Sequence, residues 1–328
     1  MGELNMVYKS LKTSIMGLVA GTSMIFGANV AIAGDWQPQK PITMVIMAGQ
    51  GGGADRIARL FQSIIQKENL ANMPILPVNK GGGSGAEALR FLKDQEGDAH
   101  TVMATLNSYY TTPLRNDIGV DIAEFNPLAR MAMDTFVLWV NADSDIKTLD
   151  DYVAAVSAAG GNWKMGGTGT GQEDSLVTAM LEKEFGIKHT YVPFKGGGTV
   201  AKNLVGNHID STVNNPAEQM GFWKAGKVRP IVAFTPDRLD VFPDVPTAKE
   251  LGHEIVYWMQ RSFVAPKGMP TAAVDYYTEL FEKLAATEEW QTYAKEKALV
   301  ADMITGSKLQ DYFLDERAKH KQILASSE

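Results

Sequence analysis

Four clusters of glycine are the residues of this chain best suited to bind a small charged molecule. They occupy residues 49–53, 81–85, 166–171 and 196–198, and each precedes a segment with helical character. A helix start leaves backbone N–H groups unpaired and carries about half a positive charge, so it attracts anions. Glycine lets a ligand approach that backbone closely. The clusters therefore predict an anion site built from peptide N–H groups, although each cluster taken alone is also typical of an ordinary turn.

Two of these clusters form an internal repeat. The sequence Lys-Gly-Gly-Gly starts at Lys80 and again at Lys195, and an alanine and a leucine follow at equal offsets in both copies. Each copy comes after a short strand-like run and opens a predicted helix. The repeat favours two lobes that face each other across a cleft. The alternative is a chance duplication in a glycine-rich sequence.

Polar side chains at the ends of predicted strands are the expected source of ligand specificity. Asn107, Ser108 and Tyr109 follow the strand that ends at Thr105, and an Asn-Asn-Pro sequence follows the strand at 209–213. Ligands of open α/β sheets bind beyond the carboxyl ends of the strands, where amide and hydroxyl groups select them. Asparagine and proline also favour turns for backbone reasons, so a turn is the alternative.

Glu173 and Asp174 are adjacent carboxylates in the loop that follows the glycine cluster at 166–171. Their simplest role is to complement the positive end of the helix that follows. They could also accept a donor from the ligand or hold a cation. A further alternative is an exported hydrolase or isomerase that acts on an anionic substrate, with one of these two residues as its base.

Several other chemistries lack their motifs. Gly49, Gly51 and Ala54 match the spacing of a dinucleotide-binding loop, but the next strand ends at Asn79-Lys80 without the expected acidic residue. Phosphate-loop and serine-hydrolase motifs are missing, and the five histidines lie far apart and outside any metal-binding spacing. The chain has no cysteine. We therefore predict neither a cofactor nor a metal.

Charge and the N-terminal residues indicate an exported protein. The formal net charge is −7 and no tract of Lys or Arg occurs, which argues against nucleic acid as a partner. Lys9 and Lys12 precede an apolar stretch that ends at Ala31-Ile32-Ala33. This pattern predicts a signal peptide over residues 1–33, cut after Ala33, and hence a periplasmic protein. An uncleaved membrane anchor is the alternative, because the apolar stretch approaches spanning length.

The order of predicted elements indicates an α/β fold. From residue 42 onward, short strand-like runs alternate with amphipathic helices, which predicts largely parallel sheets. From residue 272 onward the pattern changes to three helices in succession, a tail that we expect to pack on an existing domain.

The motifs resemble those of the solute receptors of tripartite tricarboxylate transporters, also called Bug receptors. Residues 42–55 resemble the family's first strand and Pro-Gly-Gly-x-x-Asp loop, with Gln50 in place of the proline. Residues 79–85 and 168–175 resemble its glycine turns, and residues 192–196 resemble its Val-Pro-Tyr-Lys-Gly segment with Phe194 for tyrosine. Residues 223–229 and 242–247 match its Lys-Ala-Gly-Lys-x-Arg and Pro-Asp-Val-Pro-Thr segments.

The resemblance implies a type II periplasmic-binding-protein fold, in which two α/β domains joined by two crossover strands enclose a ligand cleft. We place the crossovers near residues 136–140 and 257–263, so the first domain is 34–138 plus 262–328 and the second is 139–261. The resemblance also implies a non-catalytic monomer that captures a small mono- or dicarboxylate for integral-membrane transporter subunits, or alternatively presents it to a membrane sensor. The expected ligand-binding residues are Gln50, Gly51, Gly52, Gly53, Asp55, Thr105, Asn107, Ser108, Tyr109, Thr168, Gly169, Thr170, Gly171, Gln172, Glu173, Phe194, Lys195, Gly196, Asn214 and Asn215.

Overall fold

The computed structural model describes residues 36–327. The predicted signal peptide and its cleavage site after Ala33 lie outside these residues. None of the helices within 36–327 combines the length and the apolar character needed to cross a membrane.

The first of two sheets has six strands, numbered along the chain: β1 (Ile42–Ile46), β2 (Ile75–Asn79), β3 (Thr101–Thr105), β4 (Asn126–Thr135), β10 (Trp258–Ala265) and β11 (Ile304–Thr305). Their order across the sheet is β11-β4-β10-β3-β1-β2. The helices that accompany this sheet are α1 (Gly53–Lys67), α2 (Ala86–Lys93), α3 (Ser108–Arg115), α8 (Thr271–Ala285), α9 (Glu288–Glu296) and α10 (Gly306–Ser327). We call this sheet and its helices the first lobe.

The second sheet has five strands: β5 (Val137–Asn141), β6 (Lys164–Gly167), β7 (Thr190–Pro193), β8 (Ser211–Asn214) and β9 (Val228–Ala233). Their order is β7-β6-β8-β5-β9. The accompanying helices are α4 (Leu149–Ala158), α5 (Glu173–Phe185), α6 (Gly197–Val205) and α7 (Pro216–Lys224). This sheet and its helices form the second lobe.

The chain crosses between the two sheets twice. It leaves the first sheet at Phe136, between β4 and β5, and returns between β9 and β10. The rings of Phe136 and Tyr257 pack together at the crossings, with centroids 5.8 Å apart. The prediction of two α/β lobes joined by two crossovers is confirmed. The domain limits expected from the sequence, Leu138 and Arg261, fall inside β5 and β10.

The prediction of largely parallel sheets is wrong. Among residues 36–327, five of the nine strand pairings are antiparallel. The physical reason lies in the crossings. Strand β10 returns from the second sheet and runs antiparallel to both β3 and β4, and β5 enters the second sheet antiparallel to both of its neighbours.

An aromatic cluster fixes the part of the first lobe that carries the cleft. The Phe61 ring of α1 meets Trp290 of α9 edge-on at 4.9 Å and stacks on Phe263 of β10 at 5.4 Å. Phe263 in turn stacks on Phe281 of α8 at 4.4 Å. All four side chains are almost fully buried. The cluster therefore ties the helix that begins at Gly53 to the strand that carries Arg261.

We expect Trp290→Ala to lower the free energy of unfolding by about 3–5 kcal/mol, because it removes a fully buried ring and leaves a cavity against Phe61. Urea denaturation measures the change. Leu251, which is 44% exposed, is the matched control, and Leu251→Ala should change stability by less than about 0.5 kcal/mol. Equal losses in the two variants would contradict this description of the core.

Candidate functional site

The four glycine clusters meet at one cleft between the lobes. The cleft encloses about 40 Å³, the scale of a few water molecules. In this conformation the cleft therefore has room for a small molecule only. The lining residues are Ala48, Gly49, Gly52, Gly53, Ala54, Gly81, Leu106, Thr168, Gln172, Glu173, Asp174, Lys195, Gly196, Gly197, Asn215, Glu218, Met259 and Arg261.

The lobes approach each other backbone to backbone at this cleft. A methyl group on Gly49 of the first lobe would overlap the carbonyl oxygen of Lys195 in the second lobe. A methyl group on Gly198 would lie 2.6 Å from the carbonyl oxygen of Gly51. Any side chain at either position would hold the lobes apart. The glycines are therefore required by this closure, in addition to any role in turns.

Asp55 shapes the loop that leads into α1. Its carboxylate accepts hydrogen bonds from the Gly51 N–H at 2.9 Å, from Arg59 at 2.9 Å and from the Asn79 amide at 2.9 Å. Gly51 has φ +78°, a left-handed conformation that suits glycine. The loop is thus held by Asp55 from within the first lobe, so the structure gives Asp55 a role in positioning the loop.

The start of α1 donates to a carboxylate of the opposite lobe. The Gly53 N–H donates to Glu218 Oε1 at 2.8 Å, and a methyl group on Gly197 would overlap the same carboxylate. Glu218 lies in the first turn of α7 and is 5% exposed. Burial raises the pKa of Glu218 to about 8, and the Asp174 charge adds to the rise while Arg261 lowers it.

A second contact of the same kind joins α3 to α5. The Ser108 N–H of the first lobe donates to Glu173 Oε1 of the second lobe at 2.7 Å. Glu173 is 1% exposed. Burial raises the pKa of Glu173 to about 7, against the lowering effect of its backbone hydrogen bonds.

Asp174, next to Glu173, serves the glycine loop before α5. Its two carboxylate oxygens accept the N–H and the hydroxyl of Thr168, both at 2.8 Å. Burial raises the pKa of Asp174. In the same loop the Gly169 N–H donates to Gln172 Oε1 at 2.7 Å. These bonds fix the loop without any contribution from a ligand.

Arg261 supplies the cationic group at the base of the cleft. Its guanidinium donates to the Asp134 carboxylate and, at 3.1 Å, to Asn215 Oδ1 of the second lobe. The Asn215 amide donates to the Thr135 carbonyl at 2.7 Å. Burial raises the pKa of Asp134, and Arg261 opposes that rise. The Arg261 charge is therefore largely matched inside the protein.

Of the twenty predicted ligand-binding residues, eight line the cleft: Gly52, Gly53, Thr168, Gln172, Glu173, Lys195, Gly196 and Asn215. The structure brings these together from both lobes. The other twelve do not line it: Gln50, Gly51, Asp55, Thr105, Asn107, Ser108, Tyr109, Gly169, Thr170, Gly171, Phe194 and Asn214.

Several of these twelve make structural contacts near the cleft. Asn107 joins β3 to β10 through the Trp258 carbonyl at 2.8 Å, and Thr105 contacts Gln260 of the same strand. The Tyr109 hydroxyl donates to a carbonyl at 3.0 Å inside the first lobe. The Asn214 amide donates at 3.1 Å to the Gly197 carbonyl at the start of α6. Such contacts hold the walls of the cleft in position.

Two residues of the cleft, Glu218 and Arg261, were not predicted from the sequence. Glu218 sits three residues after Asn215 in a helix start, where an acidic residue is usually explained by the helix dipole. Arg261 lies between Gln260 and Ser262 in a predicted strand whose two ends are apolar, and a charged residue inside such a strand was the signal for a buried charge. Among residues 36–327, no group of three or more histidine, aspartate or glutamate side chains is arranged to hold a metal ion.

We expect Asp134→Asn to lower the free energy of unfolding by about 3 kcal/mol or more, because it leaves the buried Arg261 guanidinium without its carboxylate. Chemical denaturation at pH 7 measures the loss. The control is Glu279→Gln, which breaks an exposed pair with Lys283 and should cost less than about 0.5 kcal/mol. If Asp134→Asn were no more costly than its control, the buried pair would not support the base of the cleft.

Solved structures with this architecture include a periplasmic binding protein and proteins that hold organic acids. The periplasmic binding protein BugD superposes with a TM-score of 0.84 at 20% identity, over 88% of this chain and 98% of its own. MatC from Rhodopseudomonas palustris with bound malate gives 0.80 at 21% identity, over 87% and 99% of the two chains. An R. palustris protein with adipate gives 0.82 at 21% identity, over 88% and 98%. The fold is the two-domain type II periplasmic-binding-protein fold.

Sequence comparison leads to the same group. A UPF0065 protein from Cupriavidus necator is 30% identical over 247 residues, which is 75% of each chain. The protein BugT from Bordetella pertussis is 23% identical over 263 residues, or 78% of each chain. The sequence model of the tripartite tricarboxylate transporter family receptor matches residues 57–327, so the chain belongs to this receptor family.

Proposed function

We propose that this protein captures a small organic acid, a mono- or dicarboxylate, in the periplasm and delivers it to the integral-membrane subunits of a tripartite tricarboxylate-type transporter. The observation that carries this proposal is the convergence of glycine-rich helix starts from both lobes on one cleft. Membership of the receptor family supports it. Two proteins of the same fold hold malate and adipate, and these two acids are therefore the first ligands to test.

Closure of the lobes is the proposed means of capture. The lobes are joined at Phe136 and by residues 234–257, and we place the hinge in these two segments. An acid that contacts both walls binds the closed form better than the open form, so it shifts the equilibrium toward closure. Peptide N–H groups near Gly196 and Gly197, together with Lys195 at the rim, supply donors for a carboxylate.

The acidic residues of the cleft make structural hydrogen bonds, and these explain their presence without a catalytic role. The carboxylates of Glu173 and Asp174 are held by backbone or hydroxyl donors of Ser108 and Thr168. The bond to Glu173 joins the two walls, and the bonds to Asp174 hold the glycine loop before α5. We therefore favour a receptor, which acts as a monomer after residues 1–33 are removed, over a hydrolase or isomerase that uses Glu173 as a base.

We expect the mature protein to be stabilised by at least one acid in a panel that includes malate, succinate and adipate. A ligand that binds only the folded state raises the midpoint of unfolding, by an amount equivalent to about 2.7 kcal/mol at a hundred times its dissociation constant. Thermal shift measures the rise. The matching carboxamides, which lack the charge, serve as controls. A panel of mono- and dicarboxylates with no stabilising member would contradict the proposal.

Gly49→Ala should weaken binding of the stabilising acid at least ten-fold while leaving the protein folded, because the added methyl overlaps the Lys195 carbonyl and blocks closure. Titration calorimetry gives the affinity, and circular dichroism checks the fold. Gly221→Ala is the matched control, because a methyl there meets nothing within 4 Å. If Gly49→Ala bound as tightly as wild type, capture would not depend on closure at this contact.

A further inference from the structure

Two buried carboxylates of the second lobe each accept a hydrogen bond from the first lobe. The Gly53 N–H reaches across the cleft to Glu218 at 2.8 Å, and the Ser108 N–H reaches across to Glu173 at 2.7 Å. Both donors are helix starts of the first lobe. Because both bonds cross between the lobes, parting of the lobes would break them and open the side of each carboxylate that faces the first lobe to solvent. Closure therefore moves two carboxylates out of water.

The groups that face Glu218 do not balance its charge. Asp174 faces it from α5 and Asp134 from β4, and both are acidic. Glu173, also acidic, lines the same cleft. The cation that faces it is Arg261 from β10, and Asp134 already holds that guanidinium. Lys195 lies at the exposed rim. Helix starts at Gly53 and Gly197 offer partial positive charge, which is smaller than one full charge.

An organic anion adds to this excess of negative charge. A carboxylate in the cleft lies beside Glu218 and Glu173, because all of them share the space that the glycine loops enclose. Like charges in a buried site cannot all remain ionised, and a proton is the smallest neutralising partner. A protonated carboxyl can also donate a hydrogen bond to the ligand, which an ionised carboxylate cannot do.

We propose that Glu218, together with Glu173, takes up protons when the lobes close, so that the receptor captures an organic acid along with about one proton, and that protonated Glu218 donates to the ligand carboxylate. This inference rests on the proposed function. It assigns Glu218 as a residue that determines specificity, and it includes a proton in the capture of the acid.

The direction of the pH effect follows from the burial. In the closed protein the pKa is raised by burial to about 8 for Glu218 and about 7 for Glu173, from an ordinary value of 4.5. The closed form therefore binds more protons than the open form between pH 4.5 and about 8. Affinity for the anion should rise as the pH falls through this window, by up to about ten-fold per pH unit for each proton taken up.

The test is titration calorimetry with succinate, malate and adipate at pH 7, in phosphate and in Tris, which differ in their enthalpy of ionisation. Proton uptake appears as a binding enthalpy that depends on the buffer. We expect about one proton per ligand for wild type. Glu218→Gln keeps the shape of the side chain and should lose most of this uptake and most of the pH dependence of affinity. Asp150→Asn, at an exposed position of α4 in the second lobe, should behave as wild type.

Wild-type binding with no proton uptake would overturn the inference and leave the proposed function intact. Uptake that is unchanged in Glu218→Gln would place the proton on the ligand or elsewhere, and would also overturn it. If Glu218→Gln fails to fold, the wild-type count still decides between uptake and none, and Glu173→Gln tests the assignment to the cleft. Failure of every acid to bind wild type would remove the proposed function itself, and this inference with it.

Discussion

The closed form of this protein depends on contact between two stretches of glycine backbone. Gly49 lies against the Lys195 carbonyl, and Gly198 lies against the Gly51 carbonyl, in positions where a single methyl group would overlap. This contact brings helix starts from both lobes close together at the cleft. It also leaves only about 40 Å³ of space among the side chains that line the cleft. Both the donors that suit an anion and the burial of Glu218 and Glu173 follow from this one steric constraint.

The electrostatics of the cleft differ from those of a simple anion pocket. Helix starts at Gly53 and Ser108 already donate to carboxylates of the protein, and Asp174 uses the donors of Thr168. Arg261 is paired with Asp134, and this buried ion pair supports the walls of the cleft. A ligand carboxylate thus shares its surroundings with carboxylates of the protein. Several carboxyl groups are thus buried close together. Keeping one of them protonated costs less free energy than keeping all of them ionised.

The sequence predicted the glycine loops and most of the elements because these depend on local signals. Strand β1, helix α5 and the three helices of the tail have clear periodicity or glycine boundaries. Strand β6 was missed because Lys-Met-Gly-Gly has little strand propensity and is held in place by β7 and β8. No helix was predicted at α3, because the segment contains Pro113 and lacks a helical pattern. The helix is stabilised instead by the burial of Tyr109 and Tyr110. Glu218 was missed because its importance depends on a neighbour 165 residues away, Gly53, and no local pattern reports such a contact.

The central claim is that an organic acid is held between the lobes by the glycine-rich walls, and a crystal structure with a stabilising acid tests it most directly. We expect the acid in the interlobe cleft, with a carboxylate within hydrogen-bond distance of the peptide N–H groups near Gly196 and Gly197 and of the Glu218 carboxyl. An acid bound outside the cleft, or seated in it with those N–H groups turned away and Glu218 withdrawn, would contradict the account.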